Sequence, residues 1–267
     1  MFENKKKNLD AILKELNSFI VAFSGGVDSS FLLYRAHSLK KTKMIGVTIR
    51  TPYIPEIELE EASEFARLHG INHRIIDLSF PEAIRSNPVD RCYLCKKTLF
   101  SKLLDFAKEN GFRYVVDGTN ADDTNVYRPG LRALRELGIK SPLLEAGLTK
   151  KDIREMLRQE ELPVADKPAM ACLLTRIPYN TTISETMLRM IEQAECFLLK
   201  KGFPGTRVRI HGDLARLECL PGYFEKIIQN PEKELIINNL KKIGFRYVSL
   251  DLEGYRSGSA DQQIDHL

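Results

Sequence analysis

The chain contains no run of the ~18 uninterrupted apolar residues that a membrane-spanning helix needs, so no membrane role is expected. It has no low-complexity tract and no internal repeat. An excess of one charge is also missing: 40 Lys and Arg face 36 Asp and Glu, a formal net charge of +4, which is mild for a nucleic-acid binder. The short basic clusters "NKKKN", "LKKTK" and "LKKIG" fall where helices are expected to begin or end, and solvated lysines are ordinary there. The first residues, "MFENKKKNLDAIL", have lysines but no apolar stretch leading to a small-residue cleavage site. The expected location is therefore cytoplasmic. Cysteine is scarce and odd in number, at five. That argues against a disulfide framework and for metal or catalytic use of some thiols. One further absence directs the rest: the glycine-rich turn near residue 25 is not followed by the Gly-Lys-Ser/Thr of a Walker loop.

What is present is an alternation of periods. "SFIVAFS", "KMIGVTIR", "HRIIDL" and "RYVVDGTN" are apolar runs of strand length. Between them lie "DSSFLLYRAHSLK", "PEIELEEASEFARLHG" and "KTLFSKLLDFAKENG", with helical spacing. Short apolar strands separated by helices imply right-handed crossovers and an α/β fold, a parallel sheet covered on both faces. Such sheets bind ligands beyond the carboxyl ends of their strands. After another helix, "TKKDIREMLRQEE", the stretch "LPVADKPAMACLLTRIPYNTT" is rich in proline and turn residues, and it is expected to hold a boundary. Residues 1–168 would form a nucleotide-binding domain and 169–267 a smaller α+β domain. In the latter "SETMLRMIEQAECFLLKKG" is a capped amphipathic helix. "TRVRIHGDLARLEC" reads as two strands turning at His211-Gly212-Asp213, with two short helices and the strand "FRYVSLDL" to follow.

"FSGGVDSS" lies between a strand and a helix, the context of a phosphate loop. Gly25 and Gly26 let amides approach an oxyanion closely, and the helix amino terminus adds N–H donors and a positive dipole end. Ser24, Ser29 and Ser30 offer hydroxyls. Asp28 is unsuited to face phosphate alone and is expected to bind Mg2+ bridging to the phosphates. In "VVDGTNADD", Gly118 permits close approach, Thr119 adds a hydroxyl, and a carboxylate such as Asp123 is placed to share the metal. "GVTIRTPYIP" would pass the adenine, near Thr48 and Arg50. The loop resembles the pyrophosphate (PP) loop of the N-type ATP pyrophosphatases, which split ATP between its α and β phosphates.

Cys92 and Cys95 stand in a C-x-x-C spacing, and Cys172 lies far downstream. The spacing alone admits a redox dithiol, structural zinc completed by His69 or His73, or inert thiols. It also admits a [4Fe-4S] cluster on three thiolates with one iron open to an extra sulfide. Cys196 and Cys219 read as packing residues.

The motifs together resemble the LarE-type ATP-dependent sulfur transferases, on "FSGGVDSS", "DGTNADD", "RPGLRALRELGIKSPLLEAGLTK", "KPAMACLLTRIPY", "RVRIHGDLARLE" and "LDLEGYRSGS". The resemblance spans nearly the whole chain. It implies that ATP is a co-substrate and that a carboxylate of a pyridinium-3,5-biscarboxylic acid mononucleotide is adenylated. Sulfur then displaces AMP, in the making of a nickel-pincer nucleotide. It also implies substrate-phosphate binding by Arg207 and Arg209, with Arg176 and Arg256 as further candidates, and a catalytic or orienting role for Glu218. The matching position makes Cys172 either a consumed sulfur donor or, with Cys92 and Cys95 present, a cluster ligand, which is the expectation here. A sulfide or persulfide donor and a homo-oligomer are implied as partners, and nucleic acid is not. A tRNA thiolase, an amide-forming ligase and a zinc-stabilised nucleotide-binding protein are the competing readings.

Overall fold

The computed structural model describes residues 2–125, 129–168 and 171–256. Motif residues Arg128, Ala169, Met170 and Ser257 to Ser259 lie outside them. The chain divides into two compact units, Met1–Ala83 with Asp90–Met170, and Ile84–Val89 with Ala171–Leu267.

The first unit is built on four parallel strands, β1 (Ser18–Ala22), β2 (Lys43–Arg50), β3 (His73–Asp77) and β4 (Tyr114–Val116), in the order β3-β2-β1-β4. The helices are α1 (Phe2–Leu16), α2 (Val27–Ser38), α3 (Glu56–Leu68), α4 (Arg91–Glu109), α5 (Pro129–Glu136), α6 (Pro142–Glu145) and α7 (Lys150–Gln159). Side-chain alternation assigns them to faces. Phe19 and Val21 of β1 pack with Leu9, Leu13, Phe31, Leu32 and Ile153 of α1, α2 and α7. Ile20, between them, packs with Phe100, Leu103 and Leu134 of α4 and α5. Every residue of β1 from Phe19 to Val21 is therefore buried, which is why the run reads as continuously apolar. The order also fixes where a ligand can enter. From β1 the chain winds outward through β2 to β3, then returns to place β4 on the opposite side of β1. The crevice lies at that reversal, beyond the ends of β1 and β4.

The second unit has β5 (Arg207–His211), β6 (Leu214–Glu218) and β7 (Tyr247–Leu250), with α8 (Glu185–Lys200), α9 (Phe224–Ile228) and α10 (Glu232–Ile243). The antiparallel β5–β6 hairpin turns at Gly212-Asp213, and β7 joins β6 in parallel. Val208, Ile210, Ala215 and Leu217 are buried with Leu188, Ile191 and Leu198 of α8. Ser184 caps α8 by accepting from the Met187 amide at 3.2 Å.

Three features depart from expectation. The helix α4 begins at Arg91, ahead of both cysteines of the C-x-x-C. The short helices α5 and α6 lie in a stretch not assigned to any element. Residues 84–89 belong with the second unit: buried Asn87 donates from Nδ2 to the carbonyls of Ile177 and Pro178, each at 2.9 Å.

Candidate functional site

Gly25 adopts φ +71°, in the left-handed region, and a Cβ there would lie 3.0 Å from that of Ala62. Any other residue would meet both backbone strain and the packed surface of α3. Gly118 meets a harder limit, since its Cβ would stand 2.9 Å from the Ser29 amide nitrogen and 3.2 Å from the Asp28 carbonyl carbon. The turn after β4 is thus seated on the first turn of α2, which brings the sequence-distant "GGVDSS" and "DGTNADD" together.

The serines are not equivalent. Ser29 Oγ donates to the Gly26 carbonyl at 3.1 Å and shares a 3.1 Å hydrogen bond with Ser24 Oγ, so both are engaged within the loop. Ser30 is fully buried, and its Oγ has no hydrogen-bond partner. Asp28 carries a buried Oδ1 that likewise accepts no bond, while Lys150 Nζ stands 4.0 Å from its other oxygen. Burial raises the Asp28 carboxyl above its ordinary range; Asp123 pushes the same way, and Lys150 and a hydrogen bond from Asn120 oppose it. Asp123 is buried, accepting from the Asn120 amide at 3.1 Å. Thr119 donates to Asp117, whose other oxygen accepts from Ser141 at 2.6 Å. Thr48 is committed elsewhere, donating to the Phe23 carbonyl at 2.6 Å and lying 2.8 Å from His73 Nε2. Only its backbone is left to contact an adenine. Arg50 is exposed and pairs with Asp77 at 3.3 Å.

The second unit gathers four arginines around three carboxylates. Arg207 and Arg209 project from the same face of β5, opposite Glu218 and Arg216 of β6. Glu218, buried, accepts from Arg209 at 2.5 Å and pairs with Arg216 at 3.2 Å. Arg216 also donates to Asp251 at 2.5 Å. Arg176, also buried, grips Glu195 of α8 in a fork at 2.8 and 3.0 Å. Glu195 holds the Val208 amide at 3.0 Å and lies 3.6 Å from Arg207. Burial, reinforced by the charge of Arg176 and opposed by Glu195, pulls Arg207 below its ordinary value. Arg256 is exposed and donates to Glu253.

Cys92 and Cys95 share one side of the first turns of α4, three positions apart. Cys92 is exposed, and half-buried Cys95 has its Sγ 3.2 Å from the Tyr53 hydroxyl. Half-buried Cys172 precedes the short turn Leu173–Arg176, and its carbonyl accepts from Arg176 at 3.1 Å. All five cysteines are free thiols. Among the described residues no three His, Cys, Asp or Glu side chains are gathered closely enough to hold a metal ion by themselves. Cys219 is fully buried and Cys196 half-buried.

The family described as "Queuosine biosynthesis protein QueC" matches residues 18–92, the segment that carries the loop. An uncharacterized protein of Synechocystis is 36% identical over 99% of this chain and 99% of its own length. The pyridinium-3,5-bisthiocarboxylic acid mononucleotide synthase of Lactiplantibacillus plantarum is 36% identical over 97% of this chain and 95% of that protein. This chain belongs to the LarE family. It is accordingly an enzyme, an ATP-using sulfurtransferase of the PP-loop class. The structure of NMN synthetase from Francisella tularensis superposes with a TM-score of 0.50 at 16% identity, covering 63% of this chain and 75% of that one. It shares the α/β fold.

No described helix is long and apolar enough to cross a membrane. Four residues of this LarE-family site escaped the sequence reading. Glu195 and Arg216 organise the arginine face, and Lys150 and Lys167 approach the loop. Glu195 had a signal, since it sits on the polar side of an amphipathic helix next to the hairpin. The lysines had none, because each reaches the loop from more than a hundred positions away.

Proposed function

We propose that this chain adenylates a carboxylate of a pyridinium-3,5-biscarboxylic acid mononucleotide and exchanges it for a thiocarboxylate. The reading is supported by the near-full-length likeness to the synthase of Lactiplantibacillus plantarum. The observation that carries the ATP half is Asp28: a buried carboxylate oxygen without a donor, in a phosphate loop, with a second carboxylate, Asp123, nearby. Burying an unsatisfied anion is costly, and a divalent cation relieves that cost. Mg2+ fits here, held by Asp28 with Asp123 in support, and it would neutralise charge on the phosphates. The loop amides of Gly25 and Gly26 and the Ser30 hydroxyl hold the triphosphate, with Ser24 and Ser29 shaping the loop through their shared hydrogen bond, Gly118 and Thr119 shaping the turn beside it, and the Thr48 backbone passing the adenine.

In the first step a carboxylate oxygen of the substrate bonds to the α-phosphorus as the α–β bridge breaks, and pyrophosphate stays on the loop. The carboxylate becomes an acyl phosphate with AMP as leaving group, a far better electrophile. Sulfur then bonds to that carbon and AMP departs. Arg207 and Arg209, with Arg256, bind the substrate phosphate, a task suited to the guanidinium fork, while Arg176 holds the Glu195 that pairs with Arg207. Glu218 orients Arg209.

For the sulfur source, the first turns of α4 offer two thiols on one side, three positions apart. This suits two positions of a cluster's ligand set. We assign Cys92, Cys95 and Cys172 as ligands of a [4Fe-4S] cluster, reloaded by sulfide, or by a persulfide together with a two-electron thiol reductant. When bound on three thiolates, such a cluster leaves one iron open to carry sulfide.

The test is iron and acid-labile sulfide per chain after anaerobic reconstitution, with pyrophosphate release measured alongside. About four irons are expected in the parent, and they should be lost in Cys92→Ala, Cys95→Ala and Cys172→Ala. Asp28→Ala should lose pyrophosphate release at least a hundredfold while keeping its iron. Absence of iron, with Cys172 one sulfur lighter after turnover, would replace the cluster by a consumed cysteine.

A further inference from the structure

The loop lacks the Walker lysine that reaches the phosphates, but a lysine distant in sequence meets its backbone. Lys167 Nζ donates to the Gly25 carbonyl at 2.9 Å and pairs with Glu61 of α3 at 2.5 Å. Its own backbone is fixed too: Arg154 of α7 donates to the carbonyls of Ala165 and, at 2.9 Å, of Lys167. The lysine therefore approaches from an anchored segment.

The peptide it touches is the one whose orientation matters. In a trans peptide the carbonyl and the following N–H point in opposite directions. Holding the Gly25 oxygen toward Lys167 turns the Gly26 N–H the other way, toward Ser24 Oγ at 3.4 Å, the side on which the loop's hydroxyls lie. Glycine on both sides of this peptide leaves it free to rotate. Rotated by half a turn, it would present its carbonyl oxygen to the phosphates and withdraw an amide. A φ of +71° at Gly25 followed by extended backbone at Gly26 (φ −80°, ψ 165°) is the conformation the lysine stabilises. Runs of inward-facing amides form concave anion sites, and one reversed peptide would spoil this one.

We infer that Lys167 is a positioning residue for pyrophosphate binding: it locks the Gly25–Gly26 peptide with its N–H toward the anion. This rests on the assignment of residues 24–30 as the pyrophosphate loop. The ion pair with Glu61 steadies the lysine, but the contact with the Gly25 carbonyl does the positioning.

The experiment is titration calorimetry of the intact chain with inorganic pyrophosphate and Mg2+, beside the thermal midpoint of each variant. Lys167→Met should weaken pyrophosphate at least tenfold and raise the KM for ATP similarly, with kcat at saturating ATP within about threefold and the midpoint little moved. Lys167→Arg, which can still donate to a carbonyl, should recover most of the affinity. Glu61→Gln, which removes the ion pair alone, should bind within about twofold of the parent. Pyrophosphate affinity unchanged in Lys167→Met would overturn the inference. So would a loss in Glu61→Gln equal to that in Lys167→Met, because the ion pair would then be what matters. A parent that binds no pyrophosphate would remove the loop assignment itself, and the role of Lys167 with it.

Discussion

At the residue scale, Asp28 is where function and stability pull apart. Its carboxyl is held above the ordinary value of 3.8, chiefly by burial. The folded chain therefore keeps this proton at pH values where the unfolded chain has released it. Stability falls as pH rises through that window. Asp28→Asn removes the titration. In the absence of nucleotide it should melt above the parent at neutral pH. The gain should shrink as pH is lowered toward 3.8. Melting curves across pH 3.5–8 check this, and a gain constant with pH would assign the effect to something other than ionisation. The loop residues Ser24 to Ser30 were legible from sequence because their chemistry is local: glycines, hydroxyls and a carboxylate packed between a strand and a helix. The unequal fates of the serines were not legible. Which hydroxyl closes on the Gly26 carbonyl and which stays unpartnered depends on how the turn after β4 seats against α2.

At the scale of elements, the four strands and the long helices followed from periodicity, since burial on one or both faces is written in the apolar spacing. The start of α4 was missed because "NPVDRCYLC" carries proline and turn residues up to its first turn. The consequence is chemical, for it places both thiols on a helix rather than in a loop. Helix α5 had a readable signal in Pro129 at its start and Ala133 and Leu134 on its buried side, but eight residues give periodicity little to work with. In the second unit, the hairpin register explains why arginines at alternate positions do not repel one another apart. Each meets a carboxylate, from β6, β7's end or α8. The Arg176–Glu195 fork is as enclosed as the Arg209–Glu218 pair. Arg176→Met should destabilise the chain by about 3 kcal/mol, at the lower end for breaking a buried pair because Glu195 keeps Arg207 and the Val208 amide. Adding Glu195→Met should cost less than the sum of the two single losses, because the fork is lost only once, although Arg207 and the Val208 amide then lose their acceptor. Urea unfolding of the single and double variants decides it; additive losses would contradict the pairing.

At the scale of the whole molecule, two units were legible in the proline-rich stretch near residue 168, but the excursion at 84–89 was not. Nothing in "IRSNPV" distinguishes a loop of the first unit from a strap of the second. The difference lies in where its hydrogen bonds end, at Ile177, Pro178, Asn180 and Ile183. A fragment ending at residue 168 would keep this strap and lose those partners. It should melt at least 10 °C below the full chain and bind a hydrophobic dye, and a fragment as stable as the parent would show the strap to be dispensable.

The contact between Lys167 and the Gly25 carbonyl also sets an order in time. The loop leaves the ribosome 142 residues ahead of the lysine that holds it, a wait of about 7–28 s at ordinary synthesis rates. During that interval the nascent chain has its glycine-rich turn but not the shape that grips pyrophosphate. With Lys167 positioning the loop as inferred above, pyrophosphate binding would begin only once residue 167 has been made, while nearly all of the second unit is still to follow.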